Sequence, residues 1–356
     1  MAGCRTWAVR LGVGVLSLGL AGCLPSSQRE LDRSLSDADS TSLALAAQAP
    51  VDTLAVVWTA RAPEADPMIV PTSLVWLARG VGVVEAQQGG ALRRFDATGA
   101  YLGRTDLDPE AFHYAAGTRG DTVVVMARGA DRLDFVAAGS VARSVPVPPG
   151  ATHGLATDAL LAVRLGGATT GQPAEVAVLR EDGTEAARVP LLGPVWRSAG
   201  FLRTWGDSLL ALSGYRPVVD VVANPRSAPE ADTLALRGFG SPQLVRSAQF
   251  ARGEVDAPPL LTSSAAPLGD RLFVVNLRAD HVRLDVYDRG GTLQRVLVSP
   301  GPWAPVDAVP MDLAARSGPD GTVELAVLMA RAPGLLQSPD ARVVLYRWAP
   351  PAPEAV

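Results

Sequence analysis

Few residues of this chain could carry chemistry, and their spacing limits what they can do. There are three histidines, His113, His153 and His281, and two cysteines, Cys4 and Cys23. Both cysteines fall in the first 23 residues, so from residue 24 onward thiol catalysis, thiolate zinc sites and disulfides are excluded. A serine nucleophile would need one of the three imidazoles as its base. No Gly-x-Ser-x-Gly elbow and no phosphate-cradling glycine loop occurs. His113, in Phe112-His113-Tyr114-Ala115, and His153, in Thr152-His153-Gly154-Leu155, each sit just ahead of a turn-and-strand mark. That placement puts both on neighbouring strands, where neutral imidazoles are suited to zinc, which takes three or four protein ligands. His281 falls in a hairpin, so Asp108 or Glu110 would have to complete such a site. Zinc or calcium is therefore the minor expectation, and no cofactor the main one.

The elements that must position these residues follow a separate N-terminal segment. Arg5 and Arg10 precede an apolar run from Leu11 to Leu20, shorter than the roughly 20 residues of a bilayer-spanning helix. A basic flank, a short apolar run and small residues describe a secretory signal peptide over residues 1–22. Leu20-Ala21-Gly22-Cys23 resembles the lipobox of bacterial lipoproteins. That resemblance implies that Cys23 is lipidated and becomes the first mature residue, held in a membrane by several acyl chains. With leucine at position 24 rather than aspartate, it implies sorting to the outer membrane, facing the periplasm. The alternative is an ordinary signal peptide with a chance cysteine.

Residues 23–50 are polar and rich in serine and aspartate, which predicts a flexible tether. The proline-rich tail 349–356 is expected to fray. Between them, 51–348 has the composition of a globular domain, with the chain 48% hydrophobic and 19% charged. A formal net charge of −4 gives no footprint for nucleic acid. All basic side chains are arginine and only two asparagines occur, Asn224 and Asn276.

From Val51 the apolar period is two. Runs such as Val123–Met126, Leu209–Leu212 and Leu325–Leu328 alternate with glycine, proline and aspartate, and no convincing amphipathic helix interrupts them, so the fold class is all-β. A turn-then-strand phrase recurs at Gly120-Asp121, Gly206-Asp207 and Gly269-Asp270, at the spacing of propeller blades. Six blades of four strands are expected, at 75–107, 113–147, 153–192, 200–238, 262–298 and 307–347. The hairpin phrases Arg94-Phe95-Asp96-Ala97-Thr98-Gly99 and Val286-Tyr287-Asp288-Arg289-Gly290-Gly291 resemble the third-strand phrase of six-bladed NHL-type propellers. In those turns an aspartate can bond its own backbone. The last blade ends on its third strand, Val343 to Trp348, and the strand near Thr53–Trp58 has no partner. Their pairing would close the ring and remove a sheet edge.

Six-bladed lactonase-like propellers hold calcium with glutamate, aspartate and asparagine, a pattern from which Asn224 and Asn276 depart. The loops entering each blade read instead as a binding face. Phe112, His113, His153, Trp196, Arg197, Arg203 and Trp303 supply contact area and directional polar groups. Arg197 and Arg203 are expected to be exposed, whereas Trp196 and Trp303 could equally pack beneath their loops. The expected function is non-catalytic: an exported lipoprotein binding a partner protein, peptide or glycan. The alternative is a metal-dependent hydrolase or lyase with its site in the propeller channel.

Overall fold

The computed structural model describes residues 42–86, 90–168, 170–278, 281–299, 308–331 and 341–351. Two short strands come first, β1 (Val51–Thr53) and β2 (Ala55–Ala60). Antiparallel four-stranded meanders follow. The first is β3 (Pro71–Leu77), β4 (Gly80–Glu85), β5 (Ala91–Asp96) and β6 (Tyr101–Asp106). The second is β7 (Phe112–Arg119), β8 (Thr122–Arg128), β9 (Arg132–Ala137) and β10 (Ser140–Pro146). The third is β11 (Ala151–Ala156), β12 (Leu161–Gly167), β13 (Gln172–Leu179) and β14 (Glu185–Pro190). The fourth is β15 (Leu202–Trp205), β16 (Ser208–Leu212), β17 (Val218–Ala223) and β18 (Glu230–Ala235). The fifth is β19 (Ala265–Leu268), β20 (Arg271–Val275), β21 (Arg283–Tyr287) and β22 (Leu293–Val298). Last come β23 (Ala308–Ser317), β24 (Val323–Arg331) and β25 (Arg342–Trp348), whose fourth strand is β2. The fold is all-β and propeller-like, with four-stranded blades.

Both faces of each meander are buried, which explains why the strands read as apolar runs rather than clean alternations. Six apolar clusters form the core, and each is shared by two meanders. Val84, Leu92, Val123 and Val125 join the first and second. Phe135, Val145, Val163 and Leu179 join the second and third. Corresponding clusters follow around the fold, and the sixth joins Val343 and Leu345 of the last sheet to Val81 and Phe95 of the first. The first strands, β3, β7, β11, β15, β19 and β23, pack in succession, and β23 packs against β3.

The closest approach is between β7 and β11, which pair in parallel at Gly117 and Ala156. Gly117 has φ +139°, and a Cβ there would lie 2.2 Å from the Ala156 carbonyl oxygen. Only glycine allows this contact. The hairpin aspartates act as turn locks: Asp96 accepts from the N–H groups of Thr98 and Ala100, and Asp288 from those of Gly290 and Thr292.

The N-terminal strands do more than the sequence suggests. β2 pairs antiparallel with β25, Ala55 opposite Arg347 and Ala60 opposite Val343. β1 pairs in parallel with β22 of the neighbouring sheet, a pairing absent from the sequence reading. Asp52 at this junction accepts from Arg295 and from the Trp348 indole. Ten residues therefore bind two sheets.

Two expectations need correction. Residues 42–50 were placed in the tether, but residues 42–48 form a helix, α1. Ser42 Oγ accepts from the Gly238 N–H at 3.1 Å, and Ala46 and Ala49 pack on the core between the fourth and fifth meanders. Apolar Leu45, Ala46 and Ala49 were too few to register as a pattern. A second helix, α2 (Leu244–Ala251), interrupts the long loop after β18. Its eight residues make little more than two turns, too short a run to stand out in a chain read by its period-two pattern. Among the described residues no helix is long and apolar enough to cross a membrane. Cys23 and its motif lie outside the described residues.

Candidate functional site

The first strands carry the sequence-predicted site residues, and local bulges re-aim them. Register shifts occur near the start of β3, β11 and β23 and in the middle of β7. Such bulges turn a side chain out of the regular alternation. On β11 this aims His153 at an aromatic cluster. Its ring lies 4.5 Å from Tyr114 and 5.3 Å from Phe201, and Tyr114 in turn lies 5.3 Å from the half-buried Phe112. Burial, followed by the positive charges of Arg164, Arg128 and Arg203, holds the imidazole well below its ordinary range. His153 is thus neutral and is engaged in packing.

A measurable pH dependence follows. The unfolded imidazole titrates near 6.5, above the folded one, so as pH falls the unfolded state takes up the proton first. The contribution of His153 is complete above about pH 6.5 and is lost as pH falls below it. One unit below that pH the loss amounts to about 1.4 kcal/mol. His153→Phe, which keeps the ring contacts, should therefore narrow the gap between melting temperatures at pH 7.5 and pH 5.5. An unchanged gap in the variant would refute this role.

His113 lies elsewhere. It is fully buried on the face of β7 that packs against the first meander, near Asp134, Asp108 and Arg132. Burial lowers its pKa, and neither ring nitrogen has a hydrogen-bond partner among the described residues. Asp108, one of the carboxylates considered for a metal, accepts instead from the Glu110 N–H and from Arg132 at 2.9 Å. His281 lies in the bend between β20 and β21. Among the described residues no group of three or more His, Cys, Asp or Glu converges as a metal site.

The two arginines expected to be exposed are not. Arg197 is 3% exposed. It donates to Asp220 at 2.6 Å, to the Leu192 carbonyl and to Thr233. A buried carboxylate requires such a partner, and Asp220 sits in the middle of β17, within the core. Arg203 projects among the first strands, where its guanidinium lies 4.5 Å over Phe201 and donates to Asp312 at 2.9 Å. Trp303 lies outside the described residues.

Asp312 is the residue that sequence reading missed. Fully buried on β23, it accepts from Arg203 of the fourth meander and from Ser264 just before the fifth, at 2.5 Å. It also accepts from the Leu74 N–H of the first meander at 2.7 Å and from the Leu313 N–H. One carboxylate thus ties four sheets. Burial raises its pKa, while Arg203 and the N–H donors pull it back. Nothing in Met311-Asp312-Leu313 distinguishes it locally. A different signal was present but unread. Arg132-Leu133-Asp134 and Arg283-Leu284-Asp285 are the same triplet in two third strands, with the arginine Nε donating to the buried aspartate at 2.9 and 2.7 Å. Asp285 also accepts from Asn276, which places that asparagine in the core rather than at a ligand site.

Trp196 is where the predicted loop face keeps its aromatic character. It is half-buried in a 3-10 turn, Val195–Arg197, edge-on to Phe250 of α2 at 4.8 Å, with the Arg216 guanidinium 5.9 Å from its ring. Leu192 (43%) after β14, Val245 (69%) in α2 and Leu260 (38%) before β19 are exposed. These apolar residues belong to the segments flanking β14 and β19, which the meanders themselves do not require.

No family model matches the chain, and no curated protein matches it. Solved structures do resemble it. A Bacteroides fragilis protein whose name proposes that it is exported aligns over 84% of this chain and 96% of its own, at 9% identity and a TM-score of 0.50. Virginiamycin B lyase from Staphylococcus aureus aligns over 82% of this chain and 99% of its own, at 10% identity and a TM-score of 0.49. Glutaminyl cyclase from Myxococcus xanthus aligns over 84% and 98%, at 12% identity and a TM-score of 0.43. At such identities the likeness concerns the fold alone.

Proposed function

We propose that this chain is an exported lipoprotein of the bacterial envelope, anchored through Cys23 in the outer membrane. Its meanders form one six-bladed ring, closed by β2 on β25. The ring binds a partner protein, peptide or glycan, without catalysis, through the face bearing Trp196. Closure is supported by the cyclic packing of first strands and by the β1 and β2 pairings. The observation that carries the binding reading is the half-buried pair Trp196 and Phe250, backed by the buried Arg216, on segments that also expose Leu192, Val245 and Leu260. Partly exposed tryptophan is among the residue types that dominate binding hot spots. The imidazoles that a metal hydrolase or lyase would need are spread over separate environments.

Three measurements test this reading. The full chain is expected in the membrane fraction carrying an acyl label, and Cys23→Ser is expected to lose both. Trp196→Ala should weaken capture of the partner by roughly 30-fold, the scale of a 2 kcal/mol hot spot, with the melting temperature nearly unchanged. Equal capture by both proteins would sink the binding face. About one zinc or calcium per purified chain, lost on chelation together with stability, would favour the enzymatic alternative instead.

A further inference from the structure

A cavity of ≈ 350 Å³ opens among the first strands, toward the end where each turns into its second strand. It lies away from the loop face just described. Residues of β3, β7, β11, β15 and β23 line it, and its walls are polar and apolar in similar measure, with Leu74, Trp76, Ala116, Leu155 and Ala314 on the apolar side. The volume lies at the lower end of the range for small-molecule pockets.

Two charged groups line this space, Arg203 within it and Asp158 at its rim. Arg203 has a side chain 21% exposed, and it is held on two sides, by the Phe201 ring and by Asp312. Of its five N–H groups, one goes to Asp312 and one to the Leu202 carbonyl. The others, Nε–H included, have no acceptor among the described residues. Asp312 does not cancel this donor capacity, because it also accepts from Ser264, Leu74 and Leu313. Arg128 and Arg164 lie close enough to add positive charge where His153 stands. Thr204, adjacent to Arg203, and Thr118 across the cavity also line it, and neither hydroxyl has a hydrogen-bond partner among the described residues. The acidic group at the rim, Asp158, is occupied by the Gly120 N–H.

We propose that this cavity binds a small carboxylic acid with an apolar body. The carboxylate pairs with the free edge of the Arg203 guanidinium, and the apolar part lies against Leu74, Leu155 and Trp76. A pre-oriented guanidinium matches a carboxylate bidentately, and its fixing by Phe201 and Asp312 removes most of the ordering cost. The site takes no part in the loop-face reading, and neither depends on the other.

Calorimetric titration of the full chain with hexanoate, hexanamide and inorganic phosphate tests the assignment. Hexanoate should bind saturably, about tenfold or more tighter than the neutral amide and than phosphate. Arg203→Gln should abolish the preference for hexanoate over hexanamide. Because that variant disturbs Asp312, Ala314→Leu serves as a second test: it fills the cavity and leaves the ion pair intact, and it should weaken hexanoate by at least about tenfold. Absence of saturable hexanoate binding to the folded chain would overturn the proposal. So would hexanoate binding unaltered in Ala314→Leu, or phosphate bound as tightly as hexanoate.

Discussion

Replacing Asp312 with alanine is expected to cost about 3–5 kcal/mol of unfolding free energy. That corresponds to a fall in melting temperature of roughly 10 °C for a domain of this size. The carboxylate is fully buried, and its removal strands donors on three other sheets: the Arg203 guanidinium, the Ser264 hydroxyl and the Leu74 N–H. The cost lies in leaving these groups without an acceptor inside the fold, above all the charge on Arg203. Asp312→Asn, which keeps one acceptor oxygen, should lose less. In Arg203→Gln the further loss on adding Asp312→Ala should be smaller than in wild type, since the two share one network. Denaturant titration of the four proteins decides the matter. A loss below about 1 kcal/mol for Asp312→Ala would mean that the network adds nothing beyond a typical surface pair.

Deleting residues 51–60 is expected to abolish cooperative unfolding and to leave aggregated protein, whereas deleting 1–40 should move the melting temperature by no more than about 2 °C. The ten residues supply the outer strand of the last sheet and an added parallel strand on the fifth. Without them β25 and β22 become open edges, and open edges template aggregation. Leu54, wholly buried, goes with them, and truncation of such a residue to alanine alone costs about 2–5 kcal/mol. Trp58 also reaches the first meander, donating its indole N–H to the Ala97 carbonyl at 2.9 Å. A sharp two-state melt in the 51–60 deletion would show that these strands are dispensable to closure.

Legibility in the sequence followed the range of the interactions. The strand runs, the glycine-aspartate turns and the missing fourth strand of the last sheet are all local patterns, and they place the meanders to within a few residues. The first meander begins at Pro71 rather than 75, and the fourth at Leu202 rather than 200. A hairpin aspartate such as Asp288 could be read because its partners are two and four residues away. The candidate site was less legible. Arg197 looked like a surface residue until its partner Asp220, 23 positions on, appeared beside it in the core. Arg203 was drawn inward by Asp312, 109 positions away.

By itself the sequence determined that the body of the chain is β-structured, that its strands come in short meanders divided by glycine turns, and that residue 24 onward contains no thiol. Period-two burial and turn chemistry act over two to six residues, so they are written in the order of the letters. Only the tertiary structure decided which polar side chains belong to the core. Nothing within Met311-Asp312-Leu313 marks its aspartate as the junction of four sheets, and nothing in Thr152-His153-Gly154 marks its imidazole as an uncharged ring packed among aromatics. A buried charge is stable only where distant donors converge on it, and that convergence exists only once the sheets have packed.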